Sequence, residues 1–363
     1  MSFKNISLTG YKNYSSKTFH FTERIIGICG LNGKGKTNLL DAINYLCFTK
    51  SYFTKSDQLN VCFGGEGFRL EGELNGKPAE ENGKTKIVCI YRGLSKKEFY
   101  LDDIAYEKFS HHIGKFPCVM IAPDDMQMIT GISEERRKFL DTLISQVDAE
   151  YLRQLITYNK VLQQRNSFLK NSAGTTIDRH LLEALDVQLI APANYIYESR
   201  KKHTEALIPI INRFYEKISA SVESISIDYV SQLNGQHFIK LLHASREKDI
   251  VTQRTNSGVH KDDISFLLND NIFKNSGSQG QKKSLLFACK LAEFEILLQV
   301  NDLPPVLLLD DIFEKLDANR IKNVLHYVCK MNNGQVFITD THRERLESSL
   351  LEFEEPMQII ELS

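Results

Sequence analysis

The densest chemical signal lies in "ICGLNGKGKTNLLDAI", Ile28 to Ile43, where Gly30, Gly35, Lys36 and Thr37 fall in the spacing GxxxxGK[ST]. These residue types at this spacing hold phosphate. Glycines let the backbone turn its N–H groups inward around an oxyanion, and a helix opening near Lys36 adds its positive end. Lys36 can reach terminal phosphates, and the Thr37 hydroxyl can ligate Mg²⁺. The run Gly30, Leu31, Asn32, Gly33, Lys34, Gly35, Lys36, Thr37, Asn38 is therefore the candidate cradle, and it follows an apolar strand, "RIIGICG", as that chemistry requires.

Two further stretches complete a constellation. "VLLLDDIFEKLD" reads as a buried strand ending in Asp310, placed to hold Mg²⁺, and Asp311, placed to orient and polarise an attacking water. "NSGSQGQKKSLLFACK" sets Ser276, Gly277, Ser278 and Gly280 immediately before a helix, a second anion-binding helix N-terminus. One nucleotide does not need two cradles. The economical expectation is that this loop caps the γ-phosphate of a nucleotide bound by another copy, closing two ATPs in a symmetric dimer.

These residues must be positioned by strands and helices from both ends of the chain. The N-terminal part alternates short strands before the cradle and an apolar-periodic helix, "KTNLLDAINYLCF", after it; residues 57–120 read as hairpins of an antiparallel sheet. From Ser133 the spacing turns helical. That segment opens in the manner of a capping box at Ser133, and a second helical run from about Ile177 to Ser219 carries Pro192 and Pro209 as expected kinks or breaks. Two helices meeting at "NSAGTTIDR" make an αα-hairpin arm. Buried strands then alternate with helices, as in a doubly wound α/β sheet. The expected fold is an α/β P-loop ATPase lobe, a mixed parallel sheet plus an antiparallel sheet, with an inserted helical arm. Its divisions are 1–120 (lobe, with the cradle), 121–225 (arm) and 226–363 (lobe, with the acid pair).

Composition narrows the class without choosing a partner. With 363 residues, 42% hydrophobic and 25% charged, the chain can bury one large core or two modest ones. Its apolar runs are too short for a bilayer and "MSFKNISLTG" lacks a signal-peptide core, so a cytoplasmic protein without membrane contact is expected. Seven scattered cysteines fit reduced, buried thiols. A formal charge of −1 leaves nucleic-acid binding to be decided by local clustering.

In order along the chain, "ISLTGYKNY", "GLNGKGKTNLLDAINYL", "KSYFTKSD", "IAPDDMQMITGISEERRKFLD", "YNKVLQQRN", "RTNSGVHKDDISF", "GSQGQKKSL", "LLLDDIFEKLD" and "GQVFITDT" resemble the RecF family, within the wider class of ABC-type ATPase heads of SMC proteins. The resemblance implies that Gly30 to Thr37 are Walker A, Gln127 the Q-loop residue, Ser276 to Gln281 (with Ser278, Gly280 and Gln281 on nucleotide) the signature, Asp310 and Asp311 Walker B, and Leu316 with Asp317 the D-loop. Departures include Tyr52 and Phe53 where the family is basic or has His, Val259 in place of proline, and Lys315 where an acid is common. The resemblance also implies ATP and Mg²⁺ as cofactors, an ATP-dependent homodimer, and duplex DNA binding near single-strand gaps. RecO and RecR would be partners in placing RecA, with links to replication and the SOS response. Turnover would be that of a weak DNA-dependent ATPase. The rival is an SMC-like structural DNA tether in which nucleotide only sets the dimer.

Some assignments stay open between two readings. Lys50, Lys55, Arg136, Arg137, Lys138, Arg165, Lys170, Arg200, Lys201 and Lys202 suit phosphate contacts on duplex DNA, or a solvated helix face with Glu134 and Glu135. His260, Lys261, Asp262 and Asp263 form either an ion-paired junction between lobes or a nucleotide contact. After the last of these strands, Asp340 or Thr341 near the site competes with His342 as a γ-phosphate sensor.

Overall fold

The structure, a computed structural model, describes residues 1–75, 84–93, 96–172, 174, 176–219, 225–301, 303–314 and 317–363. These divide into two compact units: Met1–Asp125, Arg213–Ser221 and Gln279–Ser363 form the first, and Met126–Asn212 with Val222–Ser278 the second.

Two sheets build the first unit. The antiparallel one runs β2 (Tyr14–His20), β1 (Ser2–Tyr11), β4 (Gly67–Asn75), β5 (Lys84–Arg92), β6 (Lys96–Leu101) and β7 (Ile104–Ala105). The other has the order β14 (Met357–Glu361), β3 (Ile25–Cys29), β13 (Val336–Asp340), β12 (Val306–Leu309) and β8 (Cys118–Ile121), with every neighbouring pair parallel. Strands β3, β8, β12 and β13 are buried at every position, which is why they read as near-continuous apolar runs rather than alternating ones, Thr339 and Asp340 at the end of β13 being the polar exceptions.

Helix α1 (Lys36–Phe48) shares a core with both sheets. Leu39, Leu40, Ile43, Tyr45 and Leu46 are buried together with Phe3 and Leu70 of the antiparallel sheet and with Ile28, Leu308 and Phe337 of the parallel one. The phosphate cradle is thus the N-terminal end of a helix gripped on several sides. Helices α8 (Gln279–Val300), α9 (Ala318–His326) and α10 (Arg343–Leu351) complete this unit.

The second unit contains α2 (Met126–Thr130), α3 (Ser133–Val147), α4 (Ala149–Asn171), most of α5 (Arg179–Ser219), α6 (Phe238–Thr252), α7 (Phe273–Ser276) and a small antiparallel sheet of β9 (Ile225–Val230), β10 (Asp263–Leu268) and β11 (Asn271–Ile272). Helices α4 and α5 lie antiparallel, since Asp148 accepts from the Tyr195 hydroxyl at 2.8 Å while Arg165 pairs with Asp186 at 2.7 Å.

Three sequence expectations change here. The expected divisions at 120/121 and 225/226 move to 125/126 and, for the lobe's return, to Gln279, because β9 pairs along its whole length with β10 and so keeps 225–278 with the arm helices. Helix α5 runs unbroken through Pro192 and Pro209. A proline in a helix interior costs about 3 kcal/mol, and the burial of Leu189, Ala193, Ile196, Leu207, Ile211 and Phe214 on either side offsets it. Ser133 is not a cap: Ile132 holds that place, and the Ser133 hydroxyl accepts from Arg137 at 2.8 Å. Among the described residues no helix is long and apolar enough to cross a membrane.

Candidate functional site

The cradle loop leaves β3 at Cys29 and enters α1 through Gly35, whose φ of 100° is a left-handed conformation. A side chain there would be strained, and its Cβ would also fall 2.6 Å from the Tyr14 hydroxyl and 2.7 Å from Asn13 Nδ2. Both neighbours come from the tip of the β1–β2 hairpin, and both hold the loop. Tyr14 donates to the Gly35 carbonyl at 3.0 Å, and Asn13 reaches the Gly33 carbonyl at 3.5 Å while accepting from Asn38 at 2.8 Å. Nothing in the sequence of this hairpin marks that role.

Lys36 is buried, and its ammonium donates to the carbonyls of Gly30 at 2.6 Å and Leu31 at 3.2 Å. Across the cavity, Thr37 donates to Asp310, its Oγ1 lying 3.1 Å and 2.9 Å from the two carboxylate oxygens. Thr339, at the end of β13, joins the two acids: its hydroxyl donates to Asp310 at 2.8 Å and accepts the Asp311 N–H at 2.9 Å. Burial lifts the Asp310 carboxyl above its ordinary range, and the Thr339 and Thr37 hydroxyls and Lys36 only partly offset this. Asp311 has φ 51°, uncommon outside glycine. Thr339, like Asn13 and Tyr14, is not marked by the sequence; its one signal is a hydroxyl beside Asp340 at the end of an apolar run.

Asn32, Gly33, Gly35, Lys36, Thr37, Asn38, Asp310 and Asp311 line a cavity of about 170 Å³. That is below the roughly 300–1,000 Å³ of sites that enclose a whole small molecule. It suits a phosphate tail rather than a complete nucleotide. The hydroxyl and carboxylate oxygens that converge on one wall form the hard, all-oxygen donor set that suits Mg²⁺ alongside phosphate and water.

Other expected site residues lie elsewhere. Gly30, Leu31 and Lys34 belong to the cradle loop but do not line the cavity, and neither do Gly280, Gln281 or Asp317. Gly280 and Gln281 stand in the first turn of α8, and Asp317 caps α9 by accepting the Arg320 N–H at 3.0 Å. Leu316 is outside the described residues. Gln127, exposed in α2, and Ser278, exposed just before α8, belong to the second unit. The Asp340 carboxylate is buried and held by Arg345, with His342 donating its N–H at 3.2 Å; burial alone would raise this carboxyl, but those donors leave it below its usual range. His342 is exposed, and its ring meets Thr341 at 2.8 Å.

Within the second unit, "HKDD" is an ion-paired junction, but one inside that unit rather than between lobes. Arg136 grips Asp263 through two bonds of 2.6 and 3.0 Å, Arg200 reaches Asp262 at 3.1 Å and the Val259 carbonyl at 2.7 Å, and Tyr158 bonds His260 at 2.7 Å. Arg165 is fully buried between Asp186 and Asp249. Arg165 and Arg200 are therefore structural and leave the set of DNA candidates, because neither guanidinium reaches the surface. Lys50, Lys55, Lys138, Lys170, Lys201 and Lys202 remain exposed.

A parallel sheet presenting a phosphate loop beside an acid pair, with an antiparallel sheet sharing the same helix core, defines an ABC-type P-loop ATPase head. Residues 5–323 match the family model described as an AAA domain. The DNA replication and repair protein RecF of Flavobacterium johnsoniae is 43% identical over 350 residues, 96% of each chain, and that of Parabacteroides distasonis 41% over 351 residues, 97% of this chain and 94% of its own. A solved structure of the recombination mediator protein RecF–ATP in the RecFOR pathway superposes with a TM-score of 0.86 at 30% identity, covering 94% of this chain and 92% of that one. An Smc head domain from Pyrococcus furiosus, at 14% identity and TM-score 0.57 over 99% of this chain and 94% of its own, shares the fold. The chain belongs to the RecF family of DNA replication and repair proteins.

Proposed function

We propose that this chain is an ATP-dependent DNA-binding protein of recombinational repair and replication, in which bound ATP closes two copies on duplex DNA near single-strand gaps and hydrolysis releases them. The observation that carries the reading is the small cavity that brings Lys36, Thr37, Asp310 and Asp311 together from distant parts of the chain. Its size supports a half-site: it takes the phosphates and leaves the rest of the nucleotide to be covered from elsewhere.

In this reading Lys36 gives up the Gly30 and Leu31 carbonyls for β- and γ-phosphate oxygens, and the loop N–H groups hold the β-phosphate. Thr37 and Asp310 would hold Mg²⁺, which when bound supplies charge neutralisation at the terminal phosphates. Asp311 orients and polarises the attacking water. The signature residues Ser278, Gly280 and Gln281, with Asp317, act on the nucleotide of the other subunit, and Gln127 follows the nucleotide state. Slow turnover suits a switch. The relatives' naming supports replication and repair, and the RecFOR pathway named for the solved neighbour supports cooperation with RecO and RecR; loading of RecA and a cytoplasmic location belong to the same reading.

Gel filtration and duplex-DNA anisotropy with ATP, ADP or no nucleotide test this on the wild type, Lys36→Ala, Ser278→Arg and Asp311→Asn. Lys36→Ala and Ser278→Arg should lose ATP-dependent dimerisation and DNA binding, and Asp311→Asn should hold a long-lived dimer. A Ser278→Arg chain that still dimerises with ATP would sink the shared site.

A further inference from the structure

Gly280 lies under an arginine. In the first turn of α9, the Arg320 guanidinium pairs with Asp317 Oδ2 at 2.9 Å, and it covers the Gly280 Cα so closely that a Cβ there would sit 2.2 Å from Nη1, 3.1 Å from Cζ and 3.3 Å from Nη2. Asp317 does two things at once. Its Oδ1 accepts the Arg320 N–H at 3.0 Å and caps α9, while its Oδ2 fixes the side chain of the same residue. The Arg320 side chain is 24% exposed. An ion pair so placed contributes little stability by itself, so what matters is where it holds the guanidinium.

We propose that Arg320 is a positioning residue that ties the first turn of α8 to Asp317, and that the glycine at position 280 leaves the space in which this arginine is seated. Without a Cβ at 280, the planar fork rests on the first turn of α8, and the N-terminal ends of α8 and α9 then move as one piece. A second subunit's nucleotide meets both ends in a fixed spacing. The role in dimerisation rests on the proposed function above, whereas the pairing of Arg320 with Gly280 stands apart from it.

Two measurements on the full-length chain separate these. The first is thermal unfolding of wild type, Gly280→Ala, Arg320→Ala and the double variant without nucleotide, read as a double-mutant cycle. Alanine favours a helix over glycine by itself, so Gly280→Ala should leave the midpoint about 2–4 °C lower beside Arg320 than the same change does in the Arg320→Ala background. An equal change in both backgrounds overturns the pairing. The second is ATP-dependent self-association by sedimentation, alongside binding of a fluorescent ATP analogue at protein concentrations where the chain is monomeric. Arg320→Ala should weaken self-association at least tenfold with nucleotide binding by the single subunit unchanged. Arg320→Lys should remain impaired, because a lysine keeps the charge without the fork. An Arg320→Ala chain that self-associates like the wild type overturns the positioning role. A wild type that stays monomeric with ATP counts against the proposed function, and the stability cycle then decides the pairing.

Discussion

Thr37 and Asp310, 273 residues apart, are joined through a hydroxyl that lies 3.1 Å and 2.9 Å from the two oxygens of one buried carboxylate. Burial holds that carboxyl above its ordinary range. A carboxyl raised on folding keeps a proton that the unfolded chain has released, so it costs stability as pH rises through the unfolded value, and the full cost is present above the folded one. Asp310→Asn removes the cost. At neutral pH this variant should unfold later, by on the order of 1 kcal/mol, while Mg²⁺-dependent ATP hydrolysis falls roughly 100-fold or more. Calorimetry and a phosphate-release assay read the two effects, and a less stable, fully active variant would refute both.

Asp311 sits at φ 51°, a conformation that asparagine tolerates and alanine does not. Asp311→Asn should therefore keep the fold within about 0.5 kcal/mol of wild type while hydrolysis is lost. Asp311→Ala should lose the same hydrolysis and cost a further ~1–2 kcal/mol. Denaturant midpoints of the two variants, measured side by side, separate the catalytic from the conformational effect.

The hairpin tip fixes the cradle through Asn13 and Tyr14. Each hydrogen bond of this kind contributes about 1 kcal/mol, so Asn13→Ala and Tyr14→Phe should each weaken nucleotide binding roughly fivefold, mainly through KM. A change confined to kcat would place these residues in the chemistry instead.

Two histidines share one arrangement, His112 buried and His260 half-buried. His112 donates from Nε2 to the Leu46 carbonyl at 2.7 Å and faces the Tyr106 hydroxyl with Nδ1 at 3.1 Å; His260 donates to the Thr255 carbonyl at 3.1 Å and takes the Tyr158 hydroxyl at 2.7 Å. Burial lowers both to about 4, against the partial support of those carbonyls. A histidine near 6.5 when unfolded then binds its proton before the folded one does, so stability is lost as pH falls from about 6.5 to 4. For the fully buried His112 the loss is on the order of 3 kcal/mol. His112→Gln should flatten the acid limb of the midpoint-against-pH curve by one proton's slope, about 1.4 kcal/mol per pH unit. An unchanged limb would remove His112 as its source.

What the sequence showed well was chemistry confined to one short segment. The cradle and the acid pair were legible because phosphate and metal dictate residue type and spacing locally. Asn13, Tyr14 and Thr339 were not, since each acts through a contact made only when distant segments meet. The division at 226 misled for a related reason: an alternating strand such as "ISIDYV" does not reveal which sheet it joins, and β9 joins β10 rather than the parallel sheet. Arg165 and Arg200 looked like surface cations because the carboxylates that bury them, Asp186, Asp249 and Asp262, lie 21 to 84 residues away. Strand β14, "MQIIE", passed unnoticed, being short and only half-buried.

That late strand has a consequence for synthesis. Residues Met357–Glu361 pair with Ile25–Cys29, and the strands carrying Asp310 and Thr339 also leave the ribosome long after the phosphate loop. During translation Thr37 must wait for a partner made 273 residues later, so the β3 backbone stays exposed to other chains and chaperones in the meantime. A message cut short before Asp310 would yield a glycine loop without its acids.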